Sequence, residues 1–141
     1  LTRVLYVKEQ AGKRFVIVDA AMTELVRPAL YDAYHAVMPV AEPTEDAGPA
    51  DVVGPVCETG DFFALDRALP ALARGDLVLL RGAGAYGMSM ASNYNARRLA
   101  AEVLVEGDEA RLVRRRQAFE DLWRDEEPDG EQRRGRAEPA P

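Results

Sequence analysis

The chain opens with Leu1-Thr-Arg-Val-Leu-Tyr-Val-Lys8, a run in which β-branched and aromatic residues are frequent. A turn-like segment, Gln10-Ala-Gly-Lys13, separates it from a second such run, Arg14-Phe-Val-Ile-Val-Asp19. Two β-rich runs joined by a short segment containing glycine are typical of a β-hairpin. This beginning therefore predicts that the fold is built on a sheet.

Further short strands are predicted along most of the chain. They lie at Ala36–Val40, Asp51–Val56, Asp76–Arg81, Glu102–Glu106 and Ala110–Arg115, and the last two form a hairpin around Gly107-Asp108. Many short strands joined by turns, with few long helices, favour antiparallel sheets. We therefore expect a mainly β fold, an antiparallel β-sandwich or barrel-like domain with short helices.

Helical patterns are few. Ala20–Ala36 is the main candidate, but Pro28 suits only a first helical turn, so we expect the helix to restart at Arg27. Gln117–Arg124 predicts a short amphipathic helix. Ala41–Ala50 carries three acidic residues, two prolines and a glycine, and this composition predicts a solvated loop.

Composition narrows the class of protein. With 141 residues, 48% of them hydrophobic, the chain is long enough for one domain with a modest core. A net charge of -6 argues against nucleic-acid binding, which needs clustered cations. One cysteine and one histidine argue against an internal disulfide framework and a zinc site. We expect no metal ligand set.

The two ends of the chain carry separate expectations. No apolar run has spanning length and the first residues do not resemble a signal peptide, so we expect a cytoplasmic protein that does not enter a membrane. The missing initiator methionine predicts a piece of a longer protein. Asp125–Pro141 has no large apolar residue, so we expect a folded domain over residues 1–124 and a disordered polar tail over 125–141.

A glycine-rich loop, Gly82-Ala-Gly-Ala-Tyr86-Gly87, follows the predicted strand Asp76–Arg81. Its glycine spacing matches a dinucleotide-binding fingerprint, but the residues after Gly87 make a poor helix start and no second parallel strand follows. Small residues instead let an anionic group approach closely, with the Tyr86 hydroxyl as a donor. The alternative is a tight turn in which Tyr86 is an ordinary packed aromatic residue.

Two residues of the early helical segment suit a carboxylate ligand. Arg27 and Tyr31 are four positions apart and so share a helical face. A guanidinium can bind a carboxylate through paired hydrogen bonds, and a phenol can add one more. The alternative is that both are ordinary surface residues. His35 has no obvious acidic partner in the sequence, and we expect a structural role for it.

The only cysteine stands in the turn Cys57-Glu58-Thr-Gly-Asp61. Cys57 could donate a proton as a thiol or attack as a thiolate. The adjacent Glu58 carboxylate would keep the thiol protonated, which favours the acid role. The alternative is that Cys57 is a small buried residue that only packs.

Three motifs, taken in order, resemble one enzyme family. They are Arg27-Pro-Ala-Leu-Tyr31-Asp-Ala-Tyr-His35, Gly54-Pro-Val-Cys57-Glu58-Thr-Gly-Asp61 and Gly82-Ala-Gly-Ala-Tyr86-Gly-Met-Ser-Met-Ala-Ser-Asn-Tyr-Asn95. Together they resemble the C-terminal domain of the fold-type III, pyridoxal-phosphate-dependent decarboxylases that act on diaminopimelate, ornithine or arginine. The resemblance extends from the first strand to the Gln117–Arg124 helix. The pair Cys57-Glu58 resembles the diaminopimelate branch, which makes lysine.

The resemblance implies roles for individual residues. Tyr86 would contact the cofactor and substrate, and Arg27 and Tyr31 would bind a substrate carboxylate. Cys57 and Glu58 would act across a homodimer interface, in the active site of the neighbouring subunit. There Cys57 would return a proton to the carbon that loses carbon dioxide, and Glu58 would recognise the distal amino group of the amino-acid substrate.

The resemblance also implies that this chain carries half of an active site. In the family, the lysine that holds pyridoxal phosphate belongs to an N-terminal α/β barrel, and neither Lys8 nor Lys13 matches its motif. We therefore expect the chain alone to be inactive. Two alternatives stay open: a sister decarboxylase acting on ornithine, arginine or carboxynorspermidine, and a non-catalytic β-domain that binds a partner.

Overall fold

The computed structural model describes residues 1–42 and 45–126, which form eight strands, one short α-helix and three 3₁₀ turns. The strands are β1 (Thr2–Gln10), β2 (Lys13–Val18), β3 (Val37–Pro39), β4 (Asp46–Val53), β5 (Phe62–Pro70), β6 (Leu77–Leu80), β7 (Glu102–Glu106) and β8 (Glu109–Arg114). The helix α1 covers Arg27–Tyr31, and the 3₁₀ turns cover Met88–Met90, Tyr94–Ala96 and Phe119–Leu122. None of the described helices is long and apolar enough to cross a membrane.

Six strands form one sheet in the order β3-β6-β1-β2-β4-β5. The pairs are antiparallel except for β2 and β4, which run parallel. The sheet curves until its two outer strands approach each other, since Arg67 of β5 donates to the carbonyl of His35, just before β3, at 3.1 Å. The guanidinium of Arg67 also lies 4.1 Å from the ring centre of Tyr34. The predicted mainly β, barrel-like fold is confirmed.

The interior of this sheet is filled by alternate residues of the strands. Val16 and Val18 of β2 have no exposed surface, and neither do Val52 of β4 and Val78 of β6. Side chains two apart on a strand point to the same face, so this alternation places one face of each strand against the core. Phe63 of β5 is the largest side chain in the core and is 2% exposed.

The hairpin β7–β8 forms a separate two-stranded sheet. Within the described part of the chain, its apolar side chains stay largely open to solvent: Val105 is 65% exposed and Leu112 60%. Cross-strand partners such as Val103 and Leu112 pair with each other but remain exposed. The hairpin itself was predicted correctly.

Several local expectations were wrong. The Ala20–Ala36 helix shrinks to the five residues of α1, which does begin at Arg27 as expected. Ala41–Ala50 is not wholly a loop, because β4 begins at Asp46 and pairs with β5, a strand that the sequence patterns did not reveal. The Gln117–Arg124 helix is reduced to one 3₁₀ turn. The tail expectation for 125–141 lies, beyond Glu126, outside the described residues.

Candidate functional site

Strand direction brings the three motifs to one edge of the sheet. β2 and β4 run parallel, and β6 runs the same way because both β2 and β6 are antiparallel to β1. The carboxyl ends of these three strands therefore lie at a common edge. One segment follows each strand: residues 19–31 follow β2 and end with α1, the Gly54–Asp61 turn follows β4, and the long loop 81–98 follows β6. We call these three segments the site rim.

Arg27 and Tyr86 come together across the site rim. The central carbon of the Arg27 guanidinium lies 4.7 Å from the centre of the Tyr86 ring, a cation–π distance. Tyr86 is 52% exposed, so its hydroxyl group is accessible as well. Tyr31, at the other end of α1, is 62% exposed. The helix thus presents Arg27 to the glycine-rich loop and leaves the Tyr31 phenol open to a ligand.

The backbone of the Tyr86 loop is tightly folded. The Gly87 amide donates to the Ala83 carbonyl at 2.7 Å, and a β-carbon on Gly87 would stand only 2.7 Å from that same oxygen. Glycine is therefore needed beside Tyr86 because the turn leaves no room for a side chain. The dinucleotide interpretation fails, since the fold is a curved, mostly antiparallel sheet and only a 3₁₀ turn follows the loop.

A buried threonine and an arginine hold this loop to the segment after β2. Thr23 is 2% exposed, and its carbonyl accepts the Ser92 amide at 3.0 Å. Arg97 donates to the Thr23 hydroxyl at 3.1 Å and to the Asp19 carbonyl at 2.6 Å, and it lies 3.5 Å from the Glu24 carboxylate. Sequence reasoning did not single out these residues, because the partners are up to 78 positions apart.

Cys57 and Glu58 stand open to solvent at the tip of their turn. Cys57 is a free, exposed cysteine, so the alternative of a buried packing residue is wrong. Glu58 is also exposed, and its carboxylate accepts the Gly60 amide at 3.2 Å. The tip therefore presents a thiol and a carboxylate to whatever approaches this edge.

The root of the same turn is fixed by Asp61, which is only 4% exposed. One carboxylate oxygen accepts the Val56 amide and the other accepts the Met22 amide, both at 2.6 Å. This carboxylate joins the cysteine turn to the segment before α1. Asp61 is the last residue of the Gly54–Asp61 motif, but the sequence did not reveal its role, because its partner Met22 lies 39 residues away.

His35 is buried, with 3% of its surface exposed, and its Nδ1 atom lies 2.9 Å from the Arg81 carbonyl oxygen. It links the segment after α1 to the start of the Tyr86 loop. Burial and a backbone partner match the structural role expected for it.

Neither lysine belongs to the site rim, although Lys8 lines one cavity together with Glu58 and Asp61. Lys13 pairs with the buried Asp51 carboxylate at 2.7 Å, and Lys8 donates to the Gln10 side chain at 3.1 Å. Both belong to the β1–β2 hairpin or its turn. In the stretches 1–42 and 45–126, no group of three or more histidine, cysteine or acidic side chains is arranged to hold a metal ion.

Comparison with known families settles what kind of domain this is. A family model described as the pyridoxal-dependent decarboxylase, C-terminal sheet domain, matches residues 1–84. The chain belongs to this family. All of β1 to β6 lies inside the matched range, together with Arg27, Cys57 and Glu58, whereas Tyr86 lies two residues beyond it.

Individual members of the pyridoxal-dependent decarboxylases extend the likeness beyond residue 84. The chain is 54% identical over 127 residues to diaminopimelate decarboxylase of Zymomonas mobilis, and 59% identical over 120 residues to that of Neisseria meningitidis serogroup A. These matches cover 90% and 85% of this chain. The chain spans only about 30% of the length of the first relative and 29% of the second.

A solved structure agrees with the sequence matches. The crystal structure of diaminopimelate decarboxylase from Helicobacter pylori complexed with L-lysine superposes with a TM-score of 0.81 at 51% identity. The superposition covers 87% of this chain and 30% of that one. The present chain therefore matches less than a third of that Helicobacter pylori protein.

Proposed function

We propose that this chain is the C-terminal sheet domain of a diaminopimelate decarboxylase, which forms L-lysine from meso-2,6-diaminopimelate by removing one carboxyl group. The observation that carries the proposal is the site rim, where Arg27 stacks on Tyr86 and the exposed Cys57 and Glu58 occupy the same edge. Relatives named for that reaction share more than half of their aligned residues with this chain. In this proposal residues 1–124 form the domain, 125–141 a polar tail, and the protein works in the cytoplasm.

In this proposal, Arg27 and Tyr31 bind a carboxylate of the substrate. A guanidinium offers two parallel donors to a carboxylate, and the neighbouring phenol supplies a third. The ring of Tyr86 supports the Arg27 guanidinium from one face, which leaves its N–H edges free to bind. The same stack holds the Tyr86 hydroxyl beside the bound substrate.

Cys57 supplies the proton that replaces the departing carbon dioxide. A thiol can act as a general acid toward a basic carbon that is brought within hydrogen-bonding reach. Glu58 offers a carboxylate to the distal ammonium group of the substrate. Both residues stand at the tip of a turn, a position suited to entering the active site of a partner subunit in a homodimer.

The residues at the site rim fit pyridoxal phosphate, the cofactor of the family. Tyr86, on a loop whose Gly87 leaves no room for a side chain, would contact it through the exposed phenol. The cofactor, when bound, supplies the electron sink that allows the carboxyl group to leave. As the family resemblance implies, in this proposal the covalent lysine is assigned to an N-terminal α/β barrel. In this chain, Lys13 is paired with Asp51 and Lys8 donates to Gln10.

The proposal is tested with the full-length protein that contains this chain. Purified enzyme loaded with pyridoxal phosphate is given meso-diaminopimelate, ornithine, arginine or carboxynorspermidine, and carbon dioxide release is measured for each. We expect kcat/KM to be highest for meso-diaminopimelate. A higher kcat/KM for another of these compounds would mean that the substrate is that compound and not meso-diaminopimelate. If none of them is decarboxylated, a non-catalytic binding domain is favoured.

Mixed dimers test the shared active site. Subunits carrying Cys57→Ala are combined with subunits whose cofactor lysine is replaced, and exchange is verified by mass. One site in each mixed dimer then has an intact lysine from one chain and an intact Cys57 from the other. Recovered activity is the expected result. Its absence, after verified exchange, would contradict the assignment of Cys57 and Glu58 to the neighbouring site.

A further inference from the structure

Asp61 is the best-connected buried acid of the site rim. Its two carboxylate oxygens each accept one backbone amide at 2.6 Å, from Met22 and from Val56. Its own amide donates to the Glu58 carbonyl at 3.1 Å, and its carbonyl accepts the Gly54 amide at 2.9 Å. The side chain thus joins two segments, while the backbone of Asp61 closes the turn that carries Cys57.

The sequence around Asp61 is shaped to receive this carboxylate. A β-carbon built on Gly54 would stand 2.3 Å from both carboxylate oxygens, so any residue other than glycine would displace them. The space where a Gly54 side chain would lie is therefore the space that the Asp61 carboxylate fills. Glycine is needed at position 54 for this close approach and not for its backbone conformation, because Gly54 does not have a positive φ angle.

The same turn also rests on α1. A β-carbon on Gly60 would lie 3.4 Å from the Ala29 β-carbon and 3.5 Å from the end of the Met22 side chain. Ala29 is two residues after Arg27 on α1. The turn that presents Cys57 and Glu58 thus lies beside the helix that presents Arg27, and Asp61 bonds this turn to Met22 in the segment before the helix.

We propose that Asp61 is a positioning residue that fixes the direction of Cys57 and Glu58 relative to Arg27. It touches neither substrate nor cofactor and acts through the turn. A carboxylate suits this task because it offers an acceptor to each of two amides, whereas an asparagine would point an N–H group at one of them. This inference rests on the proposed function for its catalytic consequence, but the link between the two segments stands on geometry alone.

The first test compares Asp61→Asn with Asp51→Asn in the full-length protein. Asp51 is a matched control: it is also 4% exposed and accepts one backbone amide, from Asp66, at 2.7 Å, but its partners Asp66 and Lys13 lie in the strands β5 and β2. Amide hydrogen exchange is followed by mass spectrometry in peptides covering 20–26 and 54–61. We expect Asp61→Asn to raise the amide exchange rates in both peptides by about fivefold or more, which is the factor that corresponds to the loss of one ordinary hydrogen bond. Asp51→Asn should leave the exchange rates of both peptides unchanged.

Kinetics supply the second readout. We expect Asp61→Asn to lower kcat by about tenfold to a hundredfold, since a small displacement of a reacting group has effects of this size. The fold decrease in kcat should be larger than any fold increase in KM for meso-diaminopimelate. Both are measured at a temperature where the variant is fully folded. Asp51→Asn should keep the kcat of the unmodified protein. Wild-type exchange rates in both peptides, or an unchanged kcat in Asp61→Asn, would overturn the proposal.

A second variant covers the case in which Asp61→Asn does not fold. Gly54→Ala keeps the aspartate at position 61 but introduces a methyl group where its carboxylate oxygens lie, so it displaces them and should raise the exchange rates of the same two peptides. If it folds and leaves both peptides unchanged, Asp61 does not hold these segments together. A wild-type protein without decarboxylase activity would defeat the proposed function, while the exchange measurement would still decide the role of Asp61.

Discussion

The interior of the six-stranded sheet and the site rim are held together by different forces. In the interior, apolar side chains such as Val16, Val52 and Phe63 are almost completely removed from water. At the rim, order depends on single polar groups, above all the Asp61 carboxylate and the Arg97 guanidinium. The stabilisation from apolar packing is divided among many weak contacts, whereas at the rim it depends on a few hydrogen bonds to one side chain.

This difference teaches that stability and activity can be altered separately in this domain. Substitutions in the interior should unfold the protein and reduce activity only through the folded fraction. Substitutions at the tips of the rim should reduce activity and leave the free energy of unfolding nearly unchanged. Four variants test that separation.

Phe63→Ala should have the largest effect. Removing a fully buried phenylalanine leaves a cavity and costs about 3–5 kcal/mol of unfolding free energy. Urea unfolding of the full-length protein measures the loss. Leu65→Ala is the control on the same strand, since Leu65 is 51% exposed and should cost under about 1 kcal/mol. Similar losses for the two variants would remove the contrast between interior and surface.

Cys57→Ala should act on turnover. If the thiol is the positioned proton donor, kcat falls by about a hundredfold or more. Because Cys57 is exposed, the unfolding free energy should stay within about 0.5 kcal/mol of the original value. Steady-state kinetics and urea unfolding on the same preparation check both statements. A variant with normal kcat would contradict the assignment of Cys57 as the proton donor.

Arg27→Ala should weaken substrate binding more than cofactor binding. A charge-assisted hydrogen bond to a carboxylate contributes about 1.5–3 kcal/mol net, which appears as a higher KM or Kd for meso-diaminopimelate. Arg67→Ala removes a similar guanidinium–tyrosine stack, 4.1 Å from Tyr34, but at the place where the sheet closes. That control should lower stability and spare substrate affinity. Equal losses of cofactor and substrate affinity in Arg27→Ala would mark Arg27 as structural.

Asp19 should give the smallest effect, seen as a pH dependence. Burial alone would raise the pKa of Asp19, but hydrogen bonds from the Arg3 amide and the Thr2 hydroxyl outweigh it and hold the pKa below its ordinary value. A lowered carboxyl pKa stabilises the folded state above the unfolded pKa of about 3.9, and this contribution is lost as pH falls through the folded pKa.

The measurement compares the original protein with Asp19→Asn in urea at several pH values from neutral to about 3. The difference between their free energies of unfolding should shrink as the solution becomes acidic. A difference that stays constant with pH would show that ionisation of Asp19 does not support the fold.

Sequence patterns predicted the strands whose composition agrees with their final state. β2 and β6 are rich in valine and leucine and were found close to their true bounds. β4 begins with Asp-Ala-Gly-Pro-Ala, which has low strand propensity, and is held in the sheet by pairing with β5. β5 lacks a simple alternation of apolar residues, and Asp66 within it has a φ angle of 49°. Both segments become strands because they pair with neighbouring strands, and this pairing cannot be recognised from the local sequence.

The site could be predicted in part for a similar reason. The motifs indicated five candidate residues, and all of them lie on the site rim: Arg27, Tyr31, Cys57, Glu58 and Tyr86. What holds them there was not predictable, because the anchoring hydrogen bonds join residues distant in sequence. Asp61 accepts the Met22 amide across 39 positions, and these residues follow the two strands β2 and β4, which pair in parallel.

The exposed β7–β8 hairpin affects how this domain can be handled when it is produced separately. Within residues 1–42 and 45–126, no further strand pairs with its outer edges, and Val103, Val105 and Leu112 add an exposed apolar surface. Such an edge is a template for strand addition between molecules, which leads to precipitation in concentrated solutions. Charged residues along the hairpin, Glu102, Glu106 and Arg114 among them, oppose that association, and they are the residues to keep in any shortened version intended for crystallisation or spectroscopy.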